Sequence, residues 1–241
     1  MTVRICMWSG PRNISTTMMR SFENRADTAV IDEPFYAHYL SVTGYDHPMR
    51  DDVLKAQASD WRQVVQVLMH DEPAPIFFQK QMCQHVTHEM SLDWAASARH
   101  FFLMRDPRLM AASFGNKLPG FTAADLGVNQ ELEIYRQIEA LTGQAPPVID
   151  AQDVLMAPEP MLRALCDTID IPFDTAMLGW PAGRRDSDGV WAPHWYDAVE
   201  RSTGFGPPKT AMPELTAHER AVAEDCRAAY AELARRRLVA A

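Results

Sequence analysis

Cysteine is scarce in this chain and follows no ligand pattern. The four cysteines stand at positions 6, 83, 166 and 226, so no Cys-x-x-Cys pair or other metal-ligand spacing occurs. Cys6 and Cys166 lie in apolar stretches and read as small core residues. Long apolar runs are absent as well. No window approaches the ~18 residues of a membrane-crossing helix. The first apolar run, Val3–Trp8, is short and lacks the basic-then-apolar layout of a signal peptide. A reduced cytoplasmic location is the expectation. Positive charge is also in deficit: 23 Lys and Arg against 32 Asp and Glu leave a net charge of −9. That balance argues against a general nucleic-acid binder and against docking on anionic membranes, but it permits one local basic pocket.

What is present is the composition of a folded protein, 47% apolar and 23% charged over 241 residues. A chain of this length buries roughly 70% of its unfolded surface and needs neither disulfide nor metal to fold. With no repeat, linker or low-complexity tract, residues 1–241 are expected to form a single domain. Short apolar runs at 3–8, 28–32, 75–79, 100–104 and 147–150 predict five strands. Helical periodicity over 16–25, 51–70, 92–98, 107–117, 122–142, 158–169 and 215–238 supplies the intervening helices. The alternation predicts an α/β domain of three layers around a central parallel sheet of about five strands. Residues 179–213 are rich in Gly, Pro, Asp and Trp without a period and predict an irregular, lid-like segment. Arg235–Arg237 suit the negative end of the last helix as a solvated cap.

The segment Ser9-Gly10-Pro11-Arg12-Asn13-Ile14-Ser15-Thr16-Thr17 joins the first strand to the first helix. In a parallel sheet that junction lies where ligands bind. A helix N-terminus with hydroxyls and a guanidinium around it suits a phosphate or sulfate, although an ordinary turn capped by Ser15 or Thr16 would also produce these residue types. An ATPase loop is not present, because G-x-x-x-x-G-K-[ST] requires Gly at 15 and Lys at 16. A kinase also needs a carboxylate for Mg²⁺, and Asp32 and Asp150 are the candidates.

Pro11-Arg12-Asn13-Ile14-Ser15-Thr16 resembles the P-[KR]-S-G-T-T loop of sulfotransferases that use 3′-phosphoadenosine-5′-phosphosulfate (PAPS). Asn13 replaces a hydroxyl and Ile14 replaces the usual glycine. A second segment, from His100 to Ser113, resembles the family's 3′-phosphate motif R-[ND]-P-x-x-x-x-x-S at Arg105-Asp106-Pro107 and Ser113. The resemblance implies a P-loop NTPase-like sulfotransferase fold, with PAPS as co-substrate, 3′-phosphoadenosine-5′-phosphate (PAP) as product and no metal required. It implies that Arg12 and Ser15–Thr17 take the 5′-phosphosulfate while Arg105 and Ser113 grip the opposite, 3′ end. Gly183-Arg184-Arg185 through Trp191 is loosely similar to the family's late R-K-G-x-x-G-D-W segment, which adds Arg184 and Arg185 to the nucleotide side. The start Trp8–Arg12 and the segment Asp32-Glu33-Pro34 also resemble a sulfotransferase-like group related to domains fused to aminotransferase-like proteins in plants.

For the acceptor's proton, the resemblance points to Glu33 at the end of the second strand, with Asp32 and His38 as competitors. Lys80, ending the third strand, matches in placement a lysine that many members carry. His85 and His88 are read first as surface histidines, with the acceptor side as their functional alternative. Trp191, Trp195 and Tyr196 would line a lid or an acceptor pocket, or simply pack. The expected partner is a small-molecule acceptor, with neither nucleic acid nor membrane, and a homodimer is left open. Two alternatives remain at this point: a P-loop kinase of small molecules and a non-catalytic nucleotide-binding protein.

Overall fold

A computed structural model describes residues 2–209 and 211–240, so position 210 of the irregular segment lies outside the described residues. The strands are β1 (Val3–Ser9), β2 (Thr28–Asp32), β3 (Ile76–Met82), β4 (Arg99–Met104) and β5 (Val148–Asp150). They form one all-parallel sheet in the order β2-β3-β1-β4-β5. β1 lies at the centre, pairing with β3 from Val3↔Ile76 to Ser9↔Met82 and with β4 from Ile5↔Arg99 to Ser9↔Leu103. A central parallel strand is covered on both faces, which is why Ile5–Trp8 of β1 read as unbroken apolar sequence.

Its alternate side chains feed two cores. Cys6 and Trp8 join Phe77, Phe102 and Met104 on one face. Ile5 and Met7 join Phe78, Phe101 and Leu103 on the other. The second face is covered by α1 (Ser15–Glu23) through Met18, Met19 and Phe22, together with residues 151–166. The first is covered by several helices introduced below. The result is the three-layer α/β arrangement expected of the chain.

Several helices are interrupted where a single one was expected. The 51–70 stretch is two helices, α3 (Arg50–Ala56) and α4 (Trp61–His70), because Asp60 caps α4 by accepting from the Arg62 N–H. Before them, Tyr36–Thr43 forms α2, which periodicity did not reveal. The 92–98 stretch is a 3-10 turn over Asp93–Ser97. α5 spans Pro107–Gly115. The 122–142 stretch breaks at Gly127, whose φ of 67° ends α6 (Ala123–Leu126) and starts α7 (Val128–Thr142). Asp150 caps an unexpected α8 (Ala151–Met156), and α9 is Pro158–Thr168.

The segment expected to be irregular and lid-like carries α10 (Ala192–Trp195) and α11 (Asp197–Glu200), with Trp180, Trp191 and Tyr196 buried. The three aromatics pack inward and make it a wall, while outside the two short helices its described residues are irregular. The terminal helix is divided into α12 (Ala217–Asp225) and α13 (Arg227–Ala234). Arg235–Arg237 are exposed at the end of α13, as expected of a solvated cap, with Arg235 at the cap position and Arg236 donating to the Glu232 carbonyl at 3.0 Å. Arg237 pairs with Asp153 at 3.5 Å, and Leu238 N–H donates to the Val148 carbonyl at 2.7 Å, so the chain end runs beside β5.

Candidate active site

The carboxyl ends of β1, β3 and β4 open on a cavity of about 380 Å³. Gly10, leaving β1, permits the close approach that shapes its floor: a Cβ there would stand 2.3 Å from the Leu126 carbonyl oxygen. The next residues reverse direction twice. Arg12 and Ile14 both adopt left-handed backbone, with φ of 60° and 57°. For a β-branched residue this is a strained conformation, costing about 1–2 kcal/mol. Ile14 therefore follows the backbone path a glycine would favour, and its side chain packs against the core of Ile5, Met18 and Phe78. Asn13 is fully buried and donates to the Leu103 carbonyl of β4, tying the loop to the sheet.

Neither Ser15 nor Thr16 caps α1. Ile14 occupies the cap position without a side-chain bond, and the three hydroxyls lie in the first turn. The α1 N-terminus thus presents its N–H groups without a side-chain acceptor, and Ile14, Ser15, Thr16 and Thr17 line the cavity.

Arg12 and Arg105, expected at opposite ends of a nucleotide, are in direct contact. Arg105 donates to the Arg12 carbonyl at 2.6 Å, and Arg12 Nε donates to Ser113 Oγ at 3.0 Å. The cause is the strand order: β1 and β4 are neighbours, so the residues leaving their ends meet. Arg105 is only 8% exposed. Among the described residues no carboxylate reaches ion-pairing distance of either guanidinium. Asp197 acts on Arg12 from farther off, as do Asp150 and Asp106 on Arg105. Burial lowers the pKa of both arginines, and for Arg105 the neighbouring Arg12 adds to the effect. Both remain cationic, because an arginine begins far above neutrality.

Across the cavity, Lys80 at the end of β3 is held between two carboxylates. Its Nζ lies 2.8 Å from Asp32 Oδ1 and 2.6 Å from Glu33 Oε1. Tyr196 from the wall completes the cluster, its hydroxyl 3.1 Å from Lys80 Nζ and donating to Asp32 Oδ2 at 2.6 Å. Burial opposes the Lys80 charge more than any single neighbour, yet Asp32 and Glu33 together hold its pKa well above the ordinary lysine value. Burial pushes Glu33 up, with Asp32 adding to the rise and Lys80 opposing it. Glu33 and Lys80 line the cavity, whereas Asp32 and His38 do not. The His38 ring is occupied by Ser59 O at 3.0 Å and Thr87 Oγ1 at 2.8 Å.

The remaining walls are aromatic. Trp191, Trp195 and Tyr196 line the cavity with Tyr36, Tyr39, His47 and His85. His85 is not a surface histidine. It is sandwiched between Tyr36 at 4.6 Å and Tyr39 at 4.9 Å, and burial, aided by His47 and Lys80, holds its pKa well below the usual value. His88, by contrast, is exposed. Arg184 and Arg185 stand outside the cavity. Arg184 reaches Glu200 at 3.8 Å, and Arg185 bonds to the Pro181 carbonyl. The similarity in residue order had misplaced them, because the spacing differs and the chain turns away before the cavity. The basic residue that the later loop does bring there is Lys209, following Gly204 and Gly206. The glycine-rich Gly204-Phe-Gly206-Pro-Pro-Lys209 run was the available signal.

A family model described as a sulfotransferase domain matches residues 3–230. Branched-chain-amino-acid aminotransferase-like proteins 1 and 2 of Arabidopsis thaliana are 38% and 37% identical over 206 residues, covering 84% of this chain. The chain spans only 36% of the length of those relatives. The sulfotransferase domain of the Synechococcus PCC 7002 olefin synthase superposes with a TM-score of 0.59 at 14% identity, covering 93% of this chain and 94% of that one. A sulfotransferase from Alicyclobacillus acidocaldarius gives 0.55 at 12% identity over 99% of this chain and 98% of its own. The sulfotransferase domain from the curacin biosynthetic pathway gives 0.53 at 15% identity, over 94% and 98%. These likenesses show a shared fold. The family match, running across nearly the whole chain, places this protein in the sulfotransferase-domain family.

Proposed function

We propose that this protein transfers the sulfuryl group of PAPS to a hydroxyl or amine of a small-molecule acceptor. The observation that carries this reading is the pair Arg12 and Arg105, two largely buried guanidiniums without an ion partner among the described residues. They face one cavity beside the uncapped N-terminus of α1. Buried charge left unpaired is costly, and an anionic ligand removes the cost. Arg12 and Ser15–Thr17 would hold the 5′-phosphosulfate. Arg105, Ser113 and Lys209 would hold the 3′-phosphate, with the Arg12–Ser113 bond exchanging for bonds to the nucleotide.

Transfer proceeds in line. The acceptor atom forms a bond to sulfur while the bond from sulfur to the bridging phosphate oxygen breaks, and PAP departs. Charge builds on that bridging oxygen, where Arg12 stabilises it, while Lys80 holds Glu33 at the reacting centre. The acceptor's proton passes to Glu33, the carboxylate of the cluster that reaches the cavity. A kinase reading is disfavoured by the residues themselves. Asp32 is engaged by Lys80 and Tyr196, and Asp150 by the α8 N-terminus and the Tyr230 hydroxyl.

Calorimetric titration tests the donor. PAP is expected to bind at least about tenfold more tightly than ATP with Mg²⁺, and the reverse preference would overturn the assignment. Turnover of PAPS over a panel of phenols, alcohols and amines is expected to fall by about a hundredfold in Arg12→Ala.

A further inference from the structure

The two carboxylates of the Lys80 cluster offer more acceptors than one lysine can satisfy, and the wall supplies further donors. Asp32 receives three donors: Lys80 at 2.8 Å, the Tyr196 hydroxyl at 2.6 Å and the Gly189 N–H at 3.4 Å. The Tyr196 oxygen is itself polarised by the Trp191 indole N–H at 3.1 Å, which strengthens its own donation. Gly189 is required for this docking, since a Cβ there would stand 2.1 Å from the Trp191 ring. A few residues earlier, buried Arg20 of α1 grips Asp188 at 2.6 Å, and Ser187 donates to Glu23 of the same helix. The wall is therefore fastened to the helix that begins at the anion loop and also to the carboxylates across the cavity.

We infer that Tyr196 is a positioning residue for the proposed reaction: by satisfying Asp32, it keeps the Lys80 ammonium shared with Glu33. Without the phenol, Asp32 draws Lys80 to itself, and Glu33 loses the cation that keeps it ionised and ready to accept a proton. The groups facing Glu33 are Asp32 beside it at the end of β2, Lys80 on β3, Tyr36 on α2 and Tyr196 from the wall. His85 and Arg12 lie on the same cavity. Of these, Tyr196 is the neutral donor whose removal redistributes the lysine without altering net charge.

This inference rests on the reading of Glu33 as the proton acceptor, and its test is independent of any acceptor substrate. The Glu33 carboxyl carbon is followed by ¹³C NMR against pH and assigned through its loss in Glu33→Gln. In Tyr196→Phe the Glu33 midpoint is expected to move upward by about one unit, while the PAP dissociation constant changes by less than about twofold. Trp191→Phe should move the midpoint in the same direction by less. An unmoved or lowered midpoint in a variant that still binds PAP overturns the inference. So does loss of PAP binding in step with the shift, which would make Tyr196 a general support of the fold. If neither wild type nor variant binds PAP yet the midpoint moves, the positioning role stands and the donor assignment fails.

Discussion

Replacing Lys80 with Met removes the one cation shared by two carboxylates while nearly preserving side-chain volume, so the change isolates charge from packing. The Lys80 and Asp32 side chains are each 1% exposed and that of Glu33 is 12% exposed, so water cannot substitute for the lost ammonium. Breaking a buried pair from one side costs about 3–5 kcal/mol, and a value in that range is expected at pH 7. The loss should depend on pH in a definite sense. With the lysine gone, one carboxylate takes up a proton at a pH well above its unfolded value. The stability of the variant is then fully present below the unfolded carboxylate range and declines as pH rises through the folded value. The gap from wild type is therefore widest near neutrality and narrows as pH falls toward ~4. Adding Asp32→Asn should recover roughly 2 kcal/mol, because a single carboxylate then remains. Urea denaturation followed by tryptophan fluorescence at several pH values measures all three proteins. A loss below ~1 kcal/mol at pH 7, or a gap independent of pH, would refute the account of the cluster.

Arg105→Ala is expected to weaken PAP binding by about 2 kcal/mol, roughly thirtyfold, as for a largely buried charge-assisted contact; unchanged affinity in a calorimetric titration would remove Arg105 from the site. Glu131 on α7 is 1% exposed and has one carboxyl oxygen without a partner among the described residues. Burial, with Asp150 adding, holds its pKa well above the usual carboxylate range. Its contribution is thus fully present below the unfolded carboxylate pKa and is lost as pH rises toward the folded one. Glu131→Gln is expected to stabilise the protein by about 1–3 kcal/mol at pH 7–8 with the gain vanishing below pH ~4, and a gain independent of pH would show that this carboxyl is ionised in the fold.

The five apolar runs located the strands because the core-facing residues of a covered sheet must be apolar, a property each run carries locally, although buried Gln79, Lys80 and Gln81 interrupt it in β3. The hydroxyls after β1 and the arginine ending β4 were likewise legible, since strand ends in a parallel sheet face one edge. Helix breaks were not legible where a single residue decided them. Gly127 interrupts an otherwise continuous period, and Asp60 starts a helix inside a stretch that already looked helical. Arg184 and Arg185 were misplaced for a related reason: residue order carries over between relatives more readily than the path of an irregular segment.

From the sequence alone came the five strands, part of the helices, the parallel sheet and two motifs that each suit an anion. Only the tertiary structure decided that β1 and β4 are neighbours, which brings Arg12 against Arg105. Only it decided that Lys80 lies between Asp32 and Glu33 under Tyr196, from a segment more than a hundred residues away in the chain. The physical reason is that periodicity reports which face of an element is buried and says nothing of what buries it. Pairing of charges depends on the partner's identity and distance, which only the packed molecule defines.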